Sequence, residues 1–360
     1  MDFNLTATQQ AVADVVSSVL DRDFGSATMR AGNRPEEEPG QLGPIWDALV
    51  SGGVTALPVP ERLGGDGVGL PEVATVLTEI GRHGAITPAL ATLGYGVMPL
   101  LDLASDQQQD RFLAGLINGA KGGVLTAALN EPGTALPDRP STTFANGRLS
   151  GTKVAVPYAE SADWVVVTAD NAVVVVSPKA DGVALVKTPT SNGADEYTVT
   201  FADVAVGDSD VLAGAQAHRV NQLALAAVGA YADGLVAGAL RLTADYVANR
   251  KQFGKPLSTF QTVAAQLAEV YIASRTIDLA AKSVVWRLSE GRDADSDLDV
   301  LGYWITSQAP PVMQTCHHLH GGMGMDITYP MHRYYSTIKD LSRLLGGSSH
   351  RLDLVGAQCS

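Results

Sequence analysis

Arg250-Lys251-Gln252-Phe253-Gly254-Lys255-Pro256-Leu257-Ser258-Thr259-Phe260-Gln261 is the stretch on which the reading of this chain turns. It ends a long apolar-periodic segment with a fixed cation, a pair of aromatic rings and a terminal amide. A guanidinium stays charged and forks two donors onto phosphate oxygens, while Phe253 and Phe260 suit packing on a heterocycle. A structural role suits the same residues, with Arg250 capping the last carbonyls of a helix and the phenylalanines in a core.

On either side of this stretch the pattern is helical in long pieces, over Arg219 to Asn249 and Ser258 to Glu290. Each exceeds about twenty residues, the length of helices in a bundle or an oligomer interface. A third helix runs from Asp297 to His320, and Pro310-Pro311 is expected to kink or split it. The acidic run Asp293 to Asp299 reads as a solvated connection leading into it.

Upstream the texture is β. Val124 to Leu129, Arg148 to Val156, Trp164 to Thr168, Ala172 to Ser177, Gly182 to Lys187 and Glu196 to Phe201 are short Val- and Thr-rich strand segments. Asn146-Gly147 marks a hairpin turn. Strands without intervening helices imply a small antiparallel barrel or sandwich. Residues 1 to about 120 return to helix. Thr6-Ala7-Thr8-Gln9 is a capping box before Val12, Val15, Val16, Val19 and Leu20, and Val73 to Ile80 and Leu100 to Leu116 read as further amphipathic segments. The glycines of Pro58 to Gly69 follow no strand of a βαβ unit, so this loop reads as a sharp connection and not a nucleotide loop. Three domains result: 1–122 helical, 123–211 β and 212–360 a helical bundle, an α+β chain.

A chain of 360 residues, 46% hydrophobic and only 18% charged, has material for a large core and for subunit interfaces. Its formal charge of −13 argues against nucleic-acid and anionic-membrane surfaces, so any bound phosphate must rely on local cations and backbone N–H groups. Cys316 and Cys359 alone do not make a disulfide framework and point to a reducing compartment. The N-terminal residues lack a basic start and an apolar core of the signal-peptide kind. No uninterrupted apolar stretch reaches about 18 residues. The expectation is a cytoplasmic, soluble protein.

Several motifs now combine. Pro60-Glu61-Arg62-Leu63-Gly64-Gly65-Asp66-Gly67 lies early, Asn130-Glu131-Pro132-Gly133 opens the β region and Leu149-Ser150-Gly151-Thr152-Lys153 lies within it. His318-Leu319-His320-Gly321-Gly322-Met323-Gly324 comes late. Together with the Arg250 stretch, and over nearly the whole chain, this resembles the acyl-CoA dehydrogenase family. The resemblance implies a helical domain, a small middle β domain and a C-terminal helical bundle, with FAD as cofactor. It implies that Arg250, Phe253, Phe260 and Gln261 grip the FAD pyrophosphate and adenosine across a subunit interface. His318, Gly321, Gly322 and Gly324 match the family's second FAD-binding element, with His318 where Gln is usual. A glycine helix stop explains the same glycines, and a helix end is where backbone groups are free, so the two readings are compatible. His317, His318 and His320 point to different sides of a helix with no carboxylate pattern beside them, so no metal site is expected.

Other positions depart from the family. The resemblance expects an aromatic at Ala127, a Trp at Ala155 and a Thr at Pro157, contacts for the flavin ring that this chain lacks. The catalytic glutamate, in either of its family locations, is also missing. Leu344-Leu345-Gly346-Gly347-Ser348-Ser349 occupies one location and Asn221-Gln222-Leu223-Ala224 the other. Gly, Ala and Leu do not abstract protons, and a positioned base is worth about 10²–10⁴ in rate. No catalytic residue is therefore expected here. The split between intact and lost elements resembles the degenerate subunit of the α2β2 acyl-CoA dehydrogenases of steroid side-chain degradation. It implies a related partner subunit that bears the glutamate and binds most of the acyl-CoA substrate. The alternatives are an active homo-oligomer with a relocated base, Glu131 or Asp326, and a flavin-free scaffold protein.

Overall fold

The computed structural model describes residues 3–24, 42–118 and 123–358. The capping box forms as read: Thr6 N–H donates to Gln9 Oε1 at 2.8 Å and Gln9 N–H to Thr6 Oγ1 at 3.2 Å. It starts helix α1 (Ala7–Phe24), in which Val12, Val16, Val19 and Leu20 are buried while Val15 faces outward. Helices α2 (Pro44–Ser51) and α3 (Leu70–Arg82) follow, joined through the Pro58 to Gly69 loop with its short turn at Glu61–Leu63 and left-handed Gly64. The expected single segment from Leu100 to Leu116 is instead broken in two. A π-helical stretch, Leu90–Val97, runs into α4 (Met98–Leu103), and α5 (Asp106–Asn118) starts afresh. The cause is a second capping box, in which Ser105 N–H donates to Gln108 Oε1 at 3.0 Å and Gln108 N–H to Ser105 Oγ at 3.4 Å.

The β region contains β1 (Leu125–Ala128), β2 (Thr143–Ala145), β3 (Arg148–Pro157), β4 (Trp164–Thr168), β5 (Val173–Val176), β6 (Val183–Thr188), β7 (Glu196–Ala205) and β8 (Val211–Leu212). These form two sheets, ordered β1-β4-β5-β8 and β2-β3-β7-β6. Ala145 pairs with Arg148 across Asn146-Gly147, whose φ of 52° and 72° give the positive-φ turn that matches strand twist. The sequence implies an antiparallel region, and the structure departs from that at one pair. β1 and β4 run parallel, with Leu125 opposite Trp164, because the chain spends the β2–β3 hairpin in the other sheet before returning. β5 is valine throughout and buried along its length.

The C-terminal half comprises α6 (Ala217–Asn249), a two-stranded hairpin of β9 (Lys251–Gln252) and β10 (Lys255–Pro256), α7 (Gln261–Ser289), α8 (Asp295–Ser307), α9 (Ala309–His320), α10 (Met331–Leu344) and α11 (Gly347–Ala357). Pro310 and Pro311 do split the third helix. They sit in the first turn of α9, where a missing N–H costs nothing. α6 is long and apolar enough to cross a membrane by length and composition, yet 89% of its most apolar window is buried in the protein, as in a core helix.

The described residues gather into two compact units. One takes in the described parts of Met1–Gly32, Ala74–Ile86 and Val228–Ser360, the other those of Asn33–Val73 and Thr87–Ala227. In the first unit α3 and α6 meet backbone to backbone. A Cβ on Gly234 would lie 2.0 Å from the Thr78 carbonyl oxygen, so only glycine permits the approach. Hydroxyls add to this contact, Thr78 donating to the Ala230 carbonyl at 3.0 Å and Tyr231 to that of Ala85, just beyond α3, at 2.8 Å. In the second unit the π-helical stretch packs on β1 at Gly96, where a Cβ would lie 2.3 Å from that of Leu125.

Candidate functional site

The Arg250 to Gln261 stretch forms a projecting knuckle on the first unit. Arg250 N–H continues the helix ladder to the Tyr246 carbonyl at 2.8 Å, and the Arg250 carbonyl accepts Leu257 N–H at 2.9 Å, which closes the loop. Between them the hairpin pairs Gln252 with Lys255 and Lys251 with Pro256. Its two-residue turn is Phe253-Gly254, with φ of 55° and 82°. Such a turn favours Asn-Gly, because both residues must take positive φ, and a bulky residue there is strained. Phe253 takes the strained position and is 91% exposed. The reading of Phe253 as a core residue is excluded. Its ring stands edge-to-face with that of half-buried Phe260, centroids 6.2 Å apart at 75°. Phe260 is the N-cap of α7, Gln261 begins that helix, and both Gln261 and Arg250 are exposed.

The second motif ends α9. Gly321, at φ 57° and ψ −136°, stops the helix, and its N–H bonds the His318 carbonyl. The following turn, Gly321–Met325, leaves Gly321 and Gly322 exposed with nothing within 4 Å of where a Cβ would stand. A ligand could therefore reach their backbone directly. Gly324 is buried instead, seated 2.8 Å from His317 Cδ2 at its Cβ position, so it serves the turn's packing. His318 is exposed, whereas His320 is buried, stacks on Tyr246 at 4.5 Å and hydrogen-bonds the Cys316 carbonyl through Nδ1 at 2.7 Å. Burial pushes the His320 imidazole below its usual range. Among the described residues no cluster of His, Cys, Asp or Glu is arranged to hold a metal ion.

In the second unit, Asn130 and Glu131 have structural work. Asn130 Oδ1 accepts Leu136 N–H at 2.8 Å, and the Asn130 carbonyl accepts Val154 N–H at 2.9 Å, tying the two sheets together. Glu131 is buried against Lys153, itself fully buried, at 2.9 Å. Its carboxylate also accepts Ser141 N–H, Ser141 Oγ–H and Thr142 N–H at 2.6, 2.7 and 2.8 Å. Burial alone would raise its pKa, but the hydrogen bonds from Thr142 and Ser141 prevail and hold it at about 2. A carboxylate so satisfied is a poor proton acceptor. Lys153 Nζ reaches the Thr168 hydroxyl at 3.1 Å, and burial draws its pKa down to about 8 against the opposing charge of Glu131. At the positions where flavin contacts were expected, Ala127 is a buried methyl and Ala155 takes φ 53° at an irregularity in β3. Pro157 offers only its carbonyl, which accepts the Thr126 hydroxyl at 2.7 Å.

Neither base location holds an acid. Gly346 is exposed at φ 85° ahead of α11, a left-handed position that would strain a glutamate. Ala224 is buried, and Asn221 Nδ2 donates to the carbonyls of Leu136 and Pro137 at 3.0 and 3.1 Å. Asp326, the other acid considered, is exposed and folded into a local turn, accepting Thr328 N–H and Oγ–H at 2.8 Å each. Those bonds lower its pKa.

Tested against a dinucleotide, the residues fit at one end. An exposed guanidinium, an exposed aromatic turn and open glycine backbone suit phosphates and a flat heterocycle. The ring contacts expected in the β region are absent. Lys255 is not singled out by the sequence reading, yet its Nζ lies 4.3 Å from the Phe260 ring centroid; His317, set aside there as a metal ligand, lies beneath Gly324. The hairpin spacing would have revealed Lys255, because Phe-Gly at a two-residue turn sets which residues face each other; for His317 only the tertiary packing could.

A family model for "Acyl-CoA dehydrogenase, C-terminal domain" matches residues 220–358, and one for the N-terminal domain matches residues 6–120. Among curated proteins, acyl-CoA dehydrogenase FadE28 of Mycobacterium tuberculosis is 75% identical over 360 residues, covering 100% of this chain and 99% of that one. Among solved structures, the ChsE4-ChsE5 complex from Mycobacterium tuberculosis matches at 26% identity with a TM-score of 0.88, covering 100% of this chain and 99% of its own. A Tcur3481-Tcur3483 steroid ACAD variant matches at 29% identity with the same TM-score of 0.88, covering 97% of this chain and 96% of its own.

Proposed function

The chain belongs to the acyl-CoA dehydrogenase family, and we propose that it is the subunit of a heteromeric enzyme that completes a partner's FAD site without performing the chemistry itself. The enzyme class, an oxidoreductase acting on acyl-CoA thioesters, comes with the family. FAD, when bound, supplies the hydride acceptor for α,β-desaturation. This chain's contribution is binding. Arg250 places a permanent cation for the pyrophosphate, Phe253 and Phe260 offer aromatic surface, and Gly321 and Gly322 present open backbone.

The observation that carries the reading is Phe253, which is 91% exposed in a strained left-handed hairpin turn three residues after Arg250. An apolar ring held in water at a conformational cost has little use within its own chain beyond its edge-to-face contact with Phe260. Bound against a second subunit's cofactor it has one. The base positions filled by Gly346 and Ala224 support a partner that brings the glutamate. Relocating the base within this chain finds no support, because Glu131 is spent on Lys153, Ser141 and Thr142, and Asp326 on Thr328. Likeness to a structure named as a steroid ACAD variant, and to a complex of two named chains, supports a heteromeric assembly, which we take to be α2β2. It supports a bulky, sterol-derived acyl-CoA as the substrate class, held mainly by the partner.

The test is to purify the chain alone and co-expressed with a glutamate-bearing relative, and to measure flavin by absorbance after gel filtration. The expected outcome is a colourless chain alone and stoichiometric FAD in the complex. Stoichiometric FAD on the chain alone, or acyl-CoA oxidation by it, would overturn the proposal.

A further inference from the structure

The exposed knuckle raises a question that Arg250 does not answer: what keeps two aromatic side chains ordered in water. Phe253 has almost no protein around it, and Phe260, at the start of α7, is only half-buried. The ring contact between them is a single edge-to-face pair at 6.2 Å. Further support comes from Lys255, which places its ammonium 4.3 Å from the Phe260 ring centroid. Lys255 is held there by the hairpin register, opposite Gln252 and directly after the Phe253-Gly254 turn. Downstream, the Thr259 hydroxyl donates to the Pro256 carbonyl at 2.7 Å, and Phe260 N–H to that of Leu257 at 3.0 Å, which fixes where Phe260 leaves the loop.

The geometry points to Lys255 as a positioning residue for cofactor binding, acting through Phe260 on Phe253. Lys255, Phe260 and Phe253 stand in series, with the cation over the inner ring, the two rings edge-to-face and the outer ring left open. Phe253 is the open end, so a flat heterocycle meets Phe253 while Lys255 restrains the ring behind it. Ordering these side chains beforehand lowers the entropy lost when ligand binds. An ammonium over an exposed ring contributes modestly, and its loss corresponds to an affinity change of about two- to fivefold. The effect is therefore smaller than that of removing Arg250 and has its own signature. This inference rests on the trans-completion reading above.

The experiment uses the co-purified complex, with FAD affinity measured by flavin fluorescence titration of the deflavinated protein. Lys255→Met is expected to weaken FAD binding about two- to fivefold, and Lys255→Arg, which keeps a cation over the ring, to restore it. In a Phe260→Leu background, Lys255→Met is expected to add no further loss, because the ring through which it acts is gone. Additional loss in that background would mean that Lys255 meets the phosphates directly, and would overturn the positioning role. Unchanged affinity in Lys255→Met, while Phe253→Asn still weakens binding, would also overturn it but leave trans-completion standing. If neither variant alters FAD affinity, both ideas fail.

Discussion

Replacing Phe253 with asparagine separates folding from function at the site's most exposed residue. Phe253 occupies the first position of a two-residue turn at φ 55°, where asparagine is among the best-tolerated residues. Relief of left-handed strain in a bulky residue amounts to about 1–3 kcal/mol. Against this stands the edge-to-face contact with Phe260, worth about 0.5–1.5 kcal/mol beyond its area burial. With the ring 91% exposed, almost no buried surface is lost. The two effects nearly offset, so the free chain's melting temperature should stay within a few degrees or rise slightly, as calorimetry would show. In the complex the same change removes an aromatic surface from the cofactor. Stacking of a base on an aromatic side chain is worth about 1–3 kcal/mol, so FAD affinity should fall about five- to hundredfold. Flavin fluorescence titration measures this directly. Unchanged FAD affinity at unchanged stability would reduce Phe253 to turn filler. A large drop in the free chain's melting temperature would show that its ring is structural, and either result refutes the reasoning.

Arg250→Ala should remove a charged hydrogen-bond pair worth about 1.5–3 kcal/mol per bond, lowering the complex's flavin affinity tenfold or more with neither chain unfolded; flavin content at full activity equal to wild type would leave it a helix-end cation. Glu131→Gln should act on stability and not on turnover per folded complex. Breaking the buried pair with Lys153 costs about 3–5 kcal/mol, visible as a depressed melting temperature, and a turnover loss of 10²-fold or more at intact stability would make Glu131 the base after all. Asp233→Asn should change how stability depends on pH. Burial, with the charge of Asp278 adding to it, pushes the Asp233 carboxyl from 3.8 up to about 7. The folded state thus binds this proton more readily than the unfolded chain, so wild-type stability is lost as pH rises from 3.8 through 7, and the cost is complete above 7. Urea unfolding should therefore show Asp233→Asn gaining stability over wild type between pH 5 and pH 8, and parallel pH curves would refute the assignment.

What the sequence alone determined is whatever depends on near neighbours. The Thr6–Gln9 box, the Asn146-Gly147 turn, the valine strands and the split at Pro310-Pro311 each rest on local backbone chemistry, and each stands where the pattern put it. The family motifs were legible for the same reason, since Arg250 to Gln261 and His318 to Gly324 are contiguous. The second capping box at Ser105 was equally local and was overlooked, which merged two helices into one. What only the tertiary structure decided involves residues far apart in the chain. The parallel pairing of β1 with β4 depends on which sheet the intervening hairpin joins. The role of Glu131 depends on Lys153 and on the loop at Ser141 and Thr142, which converge to satisfy its charge. Exposure most of all escapes a linear reading, because a phenylalanine beside apolar helices reads as core until the hairpin carries it outward. Burial is a property of everything that surrounds a residue, and at Phe253 its own chain supplies little beyond the edge-to-face contact with Phe260.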